Sequence, residues 1–220
     1  MTRSLASAPS IPRRQGSRER SKRRASTNTA DRTVLVLDLD DVVCLNRPYG
    51  GYDVALALSP KSRGNATAPP GLWNELFDSA ACAHLRRIDQ EFRPVYVISS
   101  SWTRVLDDGK LRDALSRGGL GFVVESLHRE MVTPTIRGRT NRWAEISAWL
   151  QGHPEFASSW VVLDDELSGT GLDLAQPSEN LPFIVRCKES VGLTKVEYLE
   201  LRLAFQLRSQ ADQASHDHPV

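Results

Sequence analysis

The sequence predicts an α/β domain, a three-layer sandwich whose central, mostly parallel five-stranded sheet is covered by helices on both faces. Short runs rich in Val and Ile recur at 33–38, 94–99, 121–125, 159–164 and 182–187, and continuous apolar runs of that length read as buried strands. Between them lie segments whose apolar residues repeat at helical spacing. Two of the runs end in carboxylate pairs, Asp38 with Asp40 and Asp164 with Asp165, at the strand ends where α/β sheets bind ligands.

Residues 1–32 are rich in Ser, Arg and Pro and lack apolar periodicity, so they read as a disordered tail. The first strand follows as "VLVLDLDDVV". From Cys44 to Gly71 the chain carries Gly50, Gly51 and Gly64, several prolines and no long helical pattern, which reads as a flexible loop. Trp73, Leu76, Phe77, Ala80, Ala81, Leu85, Ile88 and Phe92 then form one stripe at helical spacing, and Leu111, Ala114 and Leu115 mark a second helix. A third helix runs from about 142 to 150, between the strands at 121–125 and 159–164. After the last strand, Thr194 and Glu197 form a capping-box pattern, followed by an apolar stripe of Val196, Leu199, Leu203 and Leu207. The domain therefore spans 33–208, and residues 209–220 read as a frayed polar tail holding His216 and His218.

The formal charge of +1 hides an asymmetry. Residues 1–32 hold nine Lys/Arg against Glu19 and Asp31, which leaves 19 basic and 25 acidic residues in the remainder. A basic tail of this kind suits phosphate neutralisation on nucleic acid, an organelle transit peptide or a solubilising extension. No apolar run approaches the roughly 18 residues of a membrane span. Cys44, Cys82 and Cys187 are odd in number and irregularly spaced, which suits core thiols in a reducing cytoplasm better than a disulfide framework.

The strand-end residues suggest chemistry. Asp38 and Asp40 face the same way on an extended backbone, and a hard cation with oxygen ligands offsets such a pair most simply. "VISSSW" places Ser99, Ser100 and Ser101 where donors could hold a phosphate, "WVVLDDE" supplies Asp164 and Asp165, and "GRTNRWAEISAWL" brings Arg139 and Arg142 to a helix start. Turns, caps and solvated charges account for each motif singly, but not for four at successive points on one predicted edge. His128 and His153 read as surface or capping residues, Asp41 as local structure, and Trp102 and Trp143 as rim or core.

In this order the motifs resemble those of the haloacid dehalogenase (HAD) superfamily of phosphohydrolases, and "SSSW", "TP", the spaced "R…EI…WL…HPE" and "VVLDDE" resemble the small HAD domains of Swiss Army Knife RNA-repair proteins. The resemblance implies a HAD-like Rossmannoid fold with a minimal cap. It implies Asp38 as nucleophile, Asp40 as general acid and base, Ser99 or Ser100 with Arg142 as phosphate ligands, and Mg²⁺ held by Asp38, the main-chain carbonyl of Asp40 and Asp164 or Asp165. Without a large cap, and with a basic tail, the expected substrate is a phosphorylated RNA or DNA end. A small phosphoester, a phosphoprotein and a non-catalytic phosphate- or nucleic-acid-binding module are the alternatives.

Overall fold

The computed structural model describes residues 32–59, 68–136, 141–173 and 177–216. Its strands are β1 (Val34–Leu37), β2 (Val95–Ile98), β3 (Leu127–Val132), β4 (Trp160–Asp165) and β5 (Ile184–Cys187), and they form one sheet in the order β3-β2-β1-β4-β5. Every pairing between them is parallel. Val34 lies opposite both Val95 and Trp160, and Leu37 opposite both Ile98 and Leu163, so β1 is enclosed on both edges. The chain moves outward from β1 to β3 and then returns to the other side of β1. That reversal opens the ligand crevice of a doubly wound sheet at the carboxyl ends of β1 and β4.

The helices are α1 (Gly51–Ala57), α2 (Leu72–Glu75), α3 (Ser79–Phe92), α4 (Asp108–Arg117), α5 (Gly121–Glu125), α6 (Arg142–Gly152) and α7 (Lys195–His216). Strand side chains alternate between faces and divide them into two layers. Leu35, Leu37, Tyr96, Ile98, Val161 and Leu163 pack against α2 to α5 and α7, with Leu85, Ile88, Leu111, Leu115 and Phe205 in the same core. Val34, Val36, Val95, Val97 and Val162 face Ile146, Trp149 and Leu150 of α6. This is the three-layer α/β sandwich expected from the sequence. No helix among the described residues is long and apolar enough to cross a membrane.

Four expectations change. The run at 121–125 is helix α5, and the third strand begins at Leu127. Being an edge strand, β3 is buried only at Met131, so "LHREMV" carries a polar run, His128 to Glu130, where a central strand would be apolar. The stripe from Trp73 to Phe92 is broken at Asp78, whose extended backbone and Oδ1, accepting from the Ala81 amide at 2.8 Å, start α3 afresh. The loop between Cys44 and Gly71 contains α1, begun by the Gly50 amide donating to Asp53 at 2.9 Å; residues 60–67 lie outside the described residues. At the other end, Thr194 and Glu197 form the capping box: the Thr194 amide donates to Glu197 Oε2 at 3.0 Å, and the Val196 amide to Thr194 Oγ1 at 3.2 Å. The helix it starts nonetheless buries Leu201, Ala204 and Phe205, leaves Val196, Leu199 and Leu203 exposed, and continues past Ser209 to His216.

Cys44 and Cys187 are buried, Cys82 is half-buried, and all three are free thiols. His218 and residues 1–31 lie outside the described residues.

Candidate active site

Asp38 directly follows β1 and extends its ladder, its amide donating to the Leu163 carbonyl at 2.9 Å. The backbone then curls, so that the Leu39 amide donates to Asp38 Oδ1 at 2.7 Å. Asp41 sits at φ 53° in this turn and accepts from the Ser190 amide at 2.8 Å, tying the turn to the loop between β5 and α7.

Around Asp38 the neighbouring strand ends converge. Arg142, the first residue of α6, reaches back over the crevice: its Nη2 donates to Asp38 Oδ2 at 2.9 Å and its Nη1 to Ser99 Oγ at 3.3 Å. Its Nε lies 2.8 Å from Asp164 Oδ2, an ion pair in which the N–H is not aimed along the contact. Ser99 Oγ also accepts from Thr133 Oγ1 at 3.0 Å, at the end of β3. One planar guanidinium thereby links the ends of β1, β2 and β4. Asn141 positions it, capping α6 by accepting from the Ala144 amide at 3.3 Å.

Asp38, Asp164 and Asp165 are each 1 % exposed, and they offer carboxylate oxygens within 4.8 Å of one another. Burial raises the Asp38 pKa well above the carboxylate range, with Asp164 adding to it, while Arg142 and the Ser100 hydroxyl oppose the rise. Asp164 is pushed up to about 6, chiefly by burial, against the pull of Arg142. Three buried carboxylates against one buried guanidinium leave excess negative charge, and Asp165 Oδ2 is buried without a hydrogen-bond partner. Hard cations prefer oxygen donors of this kind, so the residues fit Mg²⁺. Asp165 Oδ1 is occupied, accepting from the Leu167 and Ser168 amides at 2.7 and 2.8 Å and fixing the loop beyond β4.

Asp40 stands apart from the carboxylate cluster. Its Oδ2 accepts from the Ser101 hydroxyl at 2.7 Å and its Oδ1 from the Trp102 indole N–H at 2.8 Å. Both donors lie on a 3₁₀ turn, Ser101–Arg104, that follows β2 and is capped by Ser100. Trp102 is 1 % exposed, stacks on Phe77 with ring centroids 5.9 Å apart, and packs against Gly51 of α1, where a Cβ would fall 2.7 Å from the indole nitrogen. A side chain read as rim or core therefore also holds Asp40.

Asp38, Ser99, Ser100, Arg142, Asp164 and Asp165 lie together at the crevice, Asp40 is turned to Ser101 and Trp102, and Arg139 lies outside the described residues. Ser101, Trp102 and Thr133 were missed as partners. The Trp in "SSSW" and the Thr in "TP" were visible, but the turn that aims them was not. His128 and His153 belong elsewhere: His153 is buried at the carboxyl end of α6, its ring stacked 3.9 Å from Trp149, and His128 sits at the start of β3, edge-on to both rings. Trp143 packs against Trp160, ring centroids 5.5 Å apart.

A family model described as the HAD domain in Swiss Army Knife RNA repair proteins matches residues 34–198. No curated protein and no solved structure gives a significant match.

Proposed function

Because the chain belongs to the family of HAD domains in Swiss Army Knife RNA repair proteins, we propose that it is a Mg²⁺-dependent phosphomonoesterase acting on phosphorylated ends of nucleic acid. The observation that carries this reading is the Arg142 guanidinium, which joins Asp38, Ser99 and Asp164 at one crevice. Buried positive charge at that point binds a phosphoryl group and favours the ionised form of the carboxylate nucleophile against the effect of burial.

In this mechanism a carboxylate oxygen of Asp38 attacks phosphorus, an acyl phosphate bond forms, and the bond to the ester oxygen breaks. Asp40 gives the departing oxygen its proton. A water molecule then yields a proton to Asp40 and attacks the same phosphorus, releasing phosphate and restoring the Asp38 carboxylate. The Ser101 hydroxyl and the Trp102 indole keep Asp40 aimed through both steps. Ser99 Oγ accepts from Thr133 and Arg142, which leaves its own O–H to donate to the phosphate, and the Ser100 hydroxyl, which bonds to Asp38, lies at the same point. Asp38, Asp164 and Asp165, with the Asp40 carbonyl, would hold Mg²⁺, which screens the negative nucleophile from the negative phosphate.

Nucleic-acid ends are favoured as substrate by the family's setting in RNA repair and by the basic residues of the N-terminal segment. The test compares kcat/KM for a 3′-phosphorylated oligoribonucleotide, its 5′-phosphorylated isomer, the matching mononucleotide and a phosphopeptide. Preference for an oligonucleotide phosphorylated at either end supports the reading; equal values for oligomer and mononucleotide favour a broad-specificity phosphatase.

A further inference from the structure

Beside the nucleophile lies a cavity of about 140 Å³ lined by Ser101, Arg104, Arg142, Glu145 and Ser168. At about 30 Å³ for each water molecule, it has room for a phosphate or a sugar; pockets that enclose a whole drug-sized ligand run to roughly 300–1,000 Å³. Two of its residues have no part in the proposed reaction. Arg104 closes the 3₁₀ turn that carries Ser101 and Trp102, and Glu145 lies one helical turn after Arg142 on the same face of α6.

These two form a bridge across the cavity, Arg104 Nη2 lying 3.5 Å from Glu145 Oε1, with the Glu145 side chain 8 % exposed and that of Arg104 45 % exposed. The Arg104–Glu145 pair adds little stability, since Arg104 is half-exposed; the burial of Glu145 is favoured by the neighbouring Arg142 charge and by its place in the first turn of α6. Arg104 is the cation this leaves at the cavity: its contact with Glu145 directs the guanidinium, and no other ion pair or hydrogen bond engages that side chain among the described residues, so its remaining N–H donors can meet an incoming anion. Arg142 cannot supply that second positive charge, because in the proposed reaction it is committed to the transferring phosphoryl group beside Asp38.

We propose that this cavity is a second anion subsite, in which Arg104, positioned by Glu145, binds the phosphodiester adjacent to the phosphate being hydrolysed. It rests on the end-processing reading above and specifies how the site tells a polymer from a monomer. Binding energy taken from a group outside the reaction centre raises kcat/KM for substrates that carry that group.

The test is a ratio, which is insensitive to the fraction of correctly folded protein. With the full-length protein, kcat/KM is measured for a nucleoside 3′-monophosphate, the corresponding 3′,5′-bisphosphate and a 3′-phosphorylated oligoribonucleotide. For wild type the bisphosphate and the oligomer should exceed the monophosphate by about tenfold or more, as a charge-assisted contact warrants. Arg104→Ala should bring that ratio to about one and lower the salt slope of oligomer kcat/KM by about 0.7, the value for one phosphate contact on a single strand. Arg104→Lys should restore part of the ratio, and Glu145→Gln should reduce it through KM with kcat unchanged. A wild-type ratio of one, or a ratio that survives Arg104→Ala, overturns the subsite and leaves the phosphatase intact. Hydrolysis of an aryl phosphate with none of the three nucleotide substrates attacked overturns the end-processing reading, and the subsite with it.

Discussion

At the residue scale, the proposed chemistry depends on how two carboxylates are treated differently. Asp38 is buried with a guanidinium and a main-chain amide, whereas Asp40 is held by a hydroxyl and an indole. Trp102→Phe keeps the stack on Phe77 and removes the N–H, so kcat should fall about tenfold, more for alkyl than for aryl esters, because poor leaving groups need the proton most. Steady-state kinetics on an ester pair of graded leaving groups checks it. Asp164 supplies a pH prediction. Its folded-state pKa of about 6 exceeds the ordinary 3.8, so the neutral form is favoured on folding: its contribution is complete below about pH 4 and is lost as pH rises through 6. Without metal, wild type should therefore lose stability relative to Asp164→Asn between pH 4 and 7, and MgCl₂ should raise the wild-type Tm at pH 7 but not at pH 4. Thermal melts of both proteins across that range decide it. The charged members of the site were legible because carboxylates and an Arg at strand ends and a helix start are unusual. Ser101 and Trp102 were not, because their aim is set by a 3₁₀ turn that no periodicity announces.

At the element scale, the central strands were legible because both faces of β1, β2 and β4 are covered. β3 escaped because an edge strand keeps polar residues, while "GFVVE" satisfies a strand pattern yet forms a single helical segment that buries only Val123. Helix α7 has apolar residues on two faces, and periodicity alone does not say which one meets the sheet. The structure chooses Leu201, Ala204 and Phe205 over Val196, Leu199 and Leu203. Phe205 stacks on Phe92 with centroids 5.0 Å apart, so Phe205→Ala should cost about 3–5 kcal/mol. Leu203→Lys, on the exposed face, should change stability by less than about 0.5 kcal/mol. Denaturant melts of the two variants separate the faces, and the opposite ranking would mean that α7 is rotated about its axis.

At the scale of the whole molecule, charge and topology divide the work. The crevice opens where the strand order reverses, while the chain enters the fold at the opposite edge, with the Arg32 guanidinium donating to the Arg93 and Pro94 carbonyls at 2.6 and 2.7 Å before β1 begins. Arg32 therefore lies at the amino ends of β1 and β2, at the edge of the sheet opposite Asp38. Deleting 1–31 should leave aryl phosphate hydrolysis unchanged, weaken oligonucleotide binding and flatten its salt dependence; unchanged affinity would make the segment a spacer or an address.

The most direct test of covalent catalysis at Asp38 is phosphate release from a 3′-phosphorylated oligoribonucleotide by wild type and Asp38→Asn, each with Mg²⁺ and with a chelator. Wild type with Mg²⁺ should turn over, the chelator should stop it, and Asp38→Asn, nearly isosteric, should lose activity by roughly a thousandfold or more while melting cooperatively. Wild-type turnover by Asp38→Asn would contradict the role of Asp38, and turnover that survives the chelator would contradict the role of the cation.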